Sequence, residues 1–81
     1  MVGKVVYSAA GRDKGKIMVI VGANGAFPLV CDGKERPLER PKLKNPKHLK
    51  VTNFALEPQQ YISNKALRRA LKECACGTDE I

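Results

Sequence analysis

The sequence predicts a mainly β protein in which a small antiparallel barrel is followed by one C-terminal α-helix. Three observations lead to this fold class. The first 33 residues are rich in β-branched side chains and interrupted by glycines, residues 34–50 are basic and broken by prolines, and an apolar stripe with helical spacing appears only near the C-terminus. A chain of 81 residues is sufficient for one domain only.

The first third of the chain predicts a β-meander. Val5 and Val6 belong to a first strand, and residues 16–21 form the strongest strand signal in the sequence. Because this second run is apolar at every position after Lys16, we expect one of its faces to line the core and the other to be covered as well.

Two dipeptides in this part are strong signals for β-hairpins. They are the Asn-Gly pair at residues 24–25 and the Asp-Gly pair at residues 32–33, and both suit type I′ turns. They flank the run 26–31, so the pattern predicts three antiparallel neighbours. Pro28 lacks an N–H and is expected at an edge or a bulge of the sheet.

The middle of the chain predicts short, extended structure. Its three prolines exclude a helix and a long central strand, and residues 48–52 then alternate between polar and apolar as a last strand would. Four or five short strands within about 52 residues predict an SH3-like barrel. The expected organisation is a barrel over residues 1–54 that includes the basic loop 34–50, a connector over 55–62, and a helix over 63–76 within the same single domain.

The predicted helix has one apolar face. Ser63 or Asn64 is expected to cap its N-terminus, and Gly77 is expected to end it. The apolar stripe is expected to pack on the second face of the strand at 17–21. Its members are Ala66, Leu67, Ala70, Leu71 and Cys74.

Two segments carry the candidate binding residues. In the turn between the first two strands, Arg12, Lys14 and Lys16 lie within five residues around Gly15, and such cations can bind phosphate. A solvated hairpin tip with incidental cations explains this turn equally well. Its glycine spacing does not match a Walker loop.

Residues 34–50 are the more strongly charged segment. They contain seven cations and two carboxylates, so their net charge of +5 makes up most of the chain's +7. We expect the prolines to keep these charges displayed, which favours a polyanionic partner over an ordinary solvated loop. The candidate contact residues here are Arg36, Arg40, Lys42, Lys44, Asn45, Lys47 and His48, of which the last could stack on bases.

The sequence gives little support for a metal site or for catalysis. Cys31, His48, Cys74 and Cys76 could supply four zinc ligands, but Cys-x-Cys is not the usual zinc-knuckle spacing. We therefore expect no metal and no cofactor. The single histidine has no recognisable catalytic partners, and we expect the protein not to be an enzyme.

The glycine-bearing turn and the basic loop together resemble those of known RNA-binding proteins. The sequence from Gly3 through the turn and the apolar strand to Gly22 is similar to the KOW motif, with Gly15 at the characteristic glycine of that motif. Residues 32–49 resemble the archaeal and eukaryotic large-subunit ribosomal protein family L-fourteen-e. The matching segments are Asp32-Gly33, Arg36-Pro37 and Lys44-Asn45-Pro46-Lys47-His48-Leu49.

This resemblance covers about residues 2–52. In its short length the chain resembles a bacterial relative of the family. It implies a KOW-type SH3-like barrel that binds ribosomal RNA through its loops, as a ribosomal component or a ribosome-associated factor. Ribosomal proteins or other ribosome-associated factors are further expected partners. The alternative is a protein-interaction module of a transcription or translation complex, because KOW and SH3-like modules also bind proteins.

The cellular setting follows from composition. The longest uninterrupted apolar run has five residues, which predicts no membrane span and no membrane partner. The N-terminal residues lack the pattern of a signal peptide, and three cysteines suit a reducing compartment. We therefore expect a cytoplasmic protein.

Overall fold

The computed structural model describes residues 2–12 and 14–79, with side chains described through residue 75. Five strands form one antiparallel sheet in the order β4-β3-β2-β1-β5, and one helix follows. The strands are β1 (Lys4–Ser8), β2 (Ile17–Asn24), β3 (Phe27–Cys31), β4 (Lys42–Leu43) and β5 (Leu49–Ala55), the helix is α1 (Asn64–Asp79), and 3₁₀ turns span Pro46–His48 and Pro58–Tyr61.

The predicted fold class is confirmed at the level of a mainly β protein with one C-terminal helix. The finer expectation of a closed barrel is not met by the hydrogen bonding of the described residues, because β4 and β5 form no ladder with each other. No helix within the described ranges is long and apolar enough to cross a membrane.

Strand β2 is the centre of the fold because both of its faces are used. Val19 pairs with Cys31 and lies in the apolar cluster that contains Leu67 and Leu71 of α1. Ile20 faces the other side with Met18, where they pack in a second cluster. The prediction that the helix packs on the second face of this strand is thus confirmed.

The second cluster is enclosed without the help of α1. Val6, Met18, Ile20 and Val30 are 0–3% exposed, and Leu49 of β5 packs against them. Since these side chains lie on the face opposite the helix, the sheet itself must fold over them.

The hairpin between β2 and β3 forms where the Asn-Gly signal predicted it, but its register differs by one residue. Asn24 pairs with Phe27, so the two central residues are Gly25 and Ala26. Only Gly25 has a positive φ, at 63°, which is the type II′ pattern and not the predicted type I′. Pro28 follows in β3 and pairs with Ala23, next to a register shift between β2 and β3, as expected for a proline near a bulge.

The Asp-Gly pair at residues 32–33 does not form a two-residue hairpin. β3 and β4 are antiparallel neighbours, as predicted, but a ten-residue loop joins them. Gly33 has a φ of 79°, and a Cβ built on it would lie 2.6 Å from the carbonyl oxygen of Asn64. This glycine is therefore required because the loop packs directly on the start of the helix.

The helix begins as predicted and ends later than predicted. The Ser63 hydroxyl oxygen accepts a hydrogen bond from the Ala66 N–H at 3.1 Å, which identifies Ser63 as the N-cap. The helix continues through Gly77 to Asp79, so the prediction that Gly77 ends it is wrong. Glycine weakens a helix interior by only about 1 kcal/mol, which is not enough to stop it.

The predicted connector over residues 55–62 is partly ordered by its own contacts. It contains the second 3₁₀ turn, in which Glu57 and Gln60 form a capping box. Leu56 is buried in the cluster under α1, and its N–H donates to the Gly3 carbonyl at 2.7 Å. These contacts attach the connector to the start of β1.

Candidate nucleic-acid interface

The first basic loop is held closed at its base by main-chain hydrogen bonds. The Ser8 N–H donates to the Lys16 carbonyl at 2.9 Å, and the Gly15 N–H donates to the Ser8 carbonyl at 2.7 Å. Gly15 adopts a φ of 87°, a conformation that suits glycine. Arg12 and Lys14 are exposed beyond this base, where their charges can reach a ligand.

Three of the predicted contacts in the second segment, Asn45, Lys47 and His48, lie at the first 3₁₀ turn. The Asn45 side-chain oxygen accepts from the Lys47 N–H at 2.9 Å and caps the turn. Lys47 and His48 are exposed on it. Proline at the start of the turn and the capping amide explain why this short sequence is ordered.

The two basic segments are joined to each other at two points. The Ala9 N–H, just after β1, donates to the His48 carbonyl at 2.7 Å. At the other end of the first loop, the Lys16 ammonium forms an ion pair with the Glu35 carboxylate. The sequence analysis named both segments, and the structure brings the base of the first into contact with both ends of the second.

The start of the second segment is a compact loop built on Asp32. Its carboxylate accepts from the N–H groups of Lys34 and Arg36, each at 2.9 Å. The Arg36 carbonyl accepts in return from the N–H groups of Asp32 and Gly33. The loop is thus fixed by main-chain bonds, and the Arg36 side chain remains exposed.

Helix α1 also holds the Asp32 loop in place through side-chain hydrogen bonds. The Asn64 side-chain oxygen accepts from the Leu38 N–H at 2.8 Å, and its amide nitrogen donates to the Glu39 carboxylate at 2.9 Å. Arg68 donates from Nη1 to the Gly33 carbonyl at 2.9 Å. Sequence reasoning did not find this role for α1, because the partners are 25 to 35 residues apart.

Three predicted contact residues are less accessible than expected, and the first is Lys16, whose side chain is 35% exposed. Lys44 is only 8% exposed, and its N–H donates to the Pro28 carbonyl at 3.0 Å. Lys42 is half-buried in β4, whereas Arg40 nearby is exposed. The prediction that the prolines keep all the charges of this segment in solvent is therefore wrong, because residues 42–43 pair with β3.

The helix adds cations that the predicted site lacked. A shallow cleft of about 530 Å³ lies between the first loop, the Asp32 loop and α1. Lys16, Lys34, Arg68 and Lys72 line it together with the carboxylates of Asp32 and Glu35. The sequence signal for Arg68 and Lys72 was their i, i+4 spacing opposite the apolar stripe. This spacing alone predicts only a solvated helix face.

The cysteines have packing roles in the described residues. Cys31 is fully buried beside Val19, and burial together with the nearby Asp32 and Glu39 carboxylates raises the pKa of its thiol to about 11. Cys74 is half-buried against the same cluster, and burial followed by the Glu73 charge raises its pKa. No group of three metal-binding side chains occurs among the residues that the structure describes, and the Cys76 side chain lies outside them.

No protein-family model matches this chain, and no curated protein is significantly similar to it.

Proposed function

We propose that this chain is an RNA-binding protein that acts through one continuous basic surface formed by its two loops. The observation that carries the proposal is the double connection between them, through the Ala9–His48 hydrogen bond and the Lys16–Glu35 ion pair. Two modest groups of cations thereby act together on one polyanion. The exposed cations that we assign to phosphate contacts are Arg12, Lys14, Arg36, Arg40 and Lys47.

The architecture that we propose for this surface is an SH3-like barrel of the KOW type. The strand order, the short 3₁₀ turn between β4 and β5, and the enclosed cluster around Met18 support it. In this arrangement the loops at one end of the barrel meet, and ribosomal RNA is the favoured ligand. The protein would then act in the cytoplasm, as a ribosomal-protein-like or ribosome-associated factor without catalytic activity.

Asn45 and His48 would supply selectivity in this interface. Phosphate contacts give affinity without distinguishing one RNA sequence from another. The imidazole of His48 can stack on an unpaired base, and an amide can reach a base edge. Because the Asn45 oxygen caps the turn, its amide nitrogen is the group that we assign to a base.

A salt titration against a ribosomal RNA fragment tests this function. If five cations contact phosphates, the slope of log K against log salt should be about −3.5 on a single strand. Replacing Lys14 and Lys47 by glutamine should flatten that slope by about one to two units and weaken most RNAs alike. Replacing His48 should instead change which RNA is preferred.

The matched control is the pair Lys65→Gln and Arg69→Gln on exposed positions of α1. Arg69 lies beside Gln60 and Glu73, and neither it nor Lys65 lines the cleft at Gly15. This control removes the same two charges and should leave the slope nearly unchanged. Micromolar or weaker binding that is insensitive to salt and to the loop variants would refute the RNA-binding function.

A protein-interaction module is the second candidate function, and one observation favours it. An apolar groove lies on the side of the sheet opposite α1, between the β2–β3 hairpin and β5. The salt titration against RNA separates the two functions, because an apolar groove contributes little to the salt dependence of RNA binding.

A further inference from the structure

The groove opposite the helix has a volume of about 300 Å³, in the lower part of the range for ligand pockets. Its walls are almost entirely aliphatic. The residues that define it are Val2, Ile20, Pro28, Pro46, Leu49 and Val51. Val2 and Val51 are 61% and 53% exposed, so the rim of the groove presents apolar surface to solvent.

Lys47 supplies positive charge beside the groove. The wall formed by β2 and β3, residues 17–31, contains no charged residue. The other wall belongs to the stretch between Glu39 and Glu57, which contains five cations and no carboxylate. Lys47 is exposed in the turn whose first residue, Pro46, lines the groove. An aliphatic slot with an exposed lysine beside it is complementary to a ligand that is both apolar and acidic.

The aliphatic walls decide which acidic ligand fits. A nucleobase has polar atoms along its edges, and burying them without hydrogen-bond partners is costly. Leucine, isoleucine and valine side chains have no such atoms. We infer that this groove binds an acidic peptide segment of a partner protein, which inserts aliphatic side chains between the hairpin and β5 while its carboxylates face Lys47.

The groove differs in chemistry from the proposed RNA contacts, although both include residues of the first 3₁₀ turn. Pro46 faces the groove, while Lys47 and His48 follow it on the exposed part of the turn. A bound acidic peptide and a bound RNA would therefore compete for Lys47. This arrangement would let an acidic protein segment displace RNA from one edge of the basic surface.

A fluorescent decapeptide with two leucines set among glutamates tests the inference by anisotropy titration of the whole protein. We expect saturable binding that is lost when both leucines are replaced by alanine and when the glutamates are replaced by lysine. Val51→Asp should weaken binding about tenfold or more, because it places an unpaired carboxylate against the apolar walls. Lys47→Gln should weaken it about two- to fivefold, as expected for a solvated ion pair.

Asn53→Asp is the matched control, because it adds the same charge at an exposed position of the same strand that does not line the groove. It should reduce peptide affinity far less than Val51→Asp does. Since Val51 is half exposed, the unfolding transition should stay close to that of the wild type.

Three results would overturn the inference. Equal binding of the leucine and alanine peptides would show that the groove is not used. Loss of single-stranded RNA binding in Val51→Asp but not in Asn53→Asp would assign the groove to a base. Concentration-dependent self-association that only Val51→Asp abolishes would assign it to a second copy of this chain.

Discussion

The Ala9 main-chain N–H donates to the His48 carbonyl oxygen at 2.7 Å, across a sequence separation of almost forty residues. This bond continues the β1–β5 pairing, in which Ser8 pairs with Leu49, one residue into the loops. The first basic segment therefore begins, and the second ends, at the same end of the β1–β5 strand pair. Their proximity results from the ladder itself and does not depend on the charged side chains.

The packing of α1 predicts where the helix is most sensitive to truncation. Leu67 and Leu71 are 0% and 3% exposed, and both pack against Val19 and its neighbours. Leu67→Ala and Leu71→Ala should each lower the free energy of unfolding by about 2–5 kcal/mol. Urea denaturation measures this loss. Arg69→Ala, at an exposed position of the same helix, is the control and should stay within about 0.5 kcal/mol of the wild type.

The two glycines Gly15 and Gly33 provide a matched pair for the contact between the loop and the helix. Both have a positive φ, but a Cβ at Gly15 would meet nothing within 4 Å, whereas one at Gly33 would lie 2.6 Å from the Asn64 carbonyl oxygen. Gly15→Ala should cost about 1–2 kcal/mol from backbone conformation alone. Gly33→Ala should cost more and should also weaken RNA binding, because the Asp32 loop must move away from α1. Equal losses in urea denaturation would contradict this close contact.

The ion pair between Lys16 and Glu35 predicts a substitution that strengthens RNA binding. In the free protein the Glu35 carboxylate occupies a position where a phosphate would otherwise approach Lys16. In Glu35→Gln the Ala9–His48 bond still holds the loops together, and loss of the competing carboxylate should tighten RNA binding about two- to fivefold at low salt. Glu73→Gln, which changes the net charge equally on an exposed part of α1, is the control. An identical gain in both variants would show that only the net charge matters.

The buried Cys31 thiol predicts a loss of stability in alkaline solution. Its pKa rises from 9.0 to about 11 on folding, so the unfolded chain loses this proton first as the pH increases. The contribution of the neutral thiol is complete below about pH 9 and should decline by roughly 2–3 kcal/mol as the pH rises to 11. Urea denaturation of the wild type and of Cys31→Val across pH 8–11 isolates this group. Parallel curves for the two proteins would contradict the prediction.

The sheet and the docked helix could be predicted because their signals are periodic. The unbroken apolar run of β2 required two covered faces, and the stripe containing Leu67 and Leu71 was the obvious element to cover the second face. Such patterns are local, and burial of apolar surface enforces them wherever the chain folds.

The structural features that differed from the sequence-based predictions depend on contacts between different elements of the fold. The turn after β2 is centred on Gly25 because pairing of Asn24 with Phe27 fixes the register. Lys44 is withdrawn from solvent because a bond to Pro28 holds its main chain beside β3. The role of Asn64 could not be predicted, because its partners in the basic loop precede it by about 25 residues.

The use of both faces of β2 limits how this surface could be engineered. The helix-facing side chains of the sheet, such as Val19 and Cys31, would be uncovered if the loops and strands were transplanted into another scaffold without α1. The basic loop would also lose the Asn64 and Arg68 bonds that hold its main chain. The basic loops therefore cannot be transferred alone. A functional graft must include α1, or a substitute helix with the same apolar stripe and the same polar contacts in its first two turns.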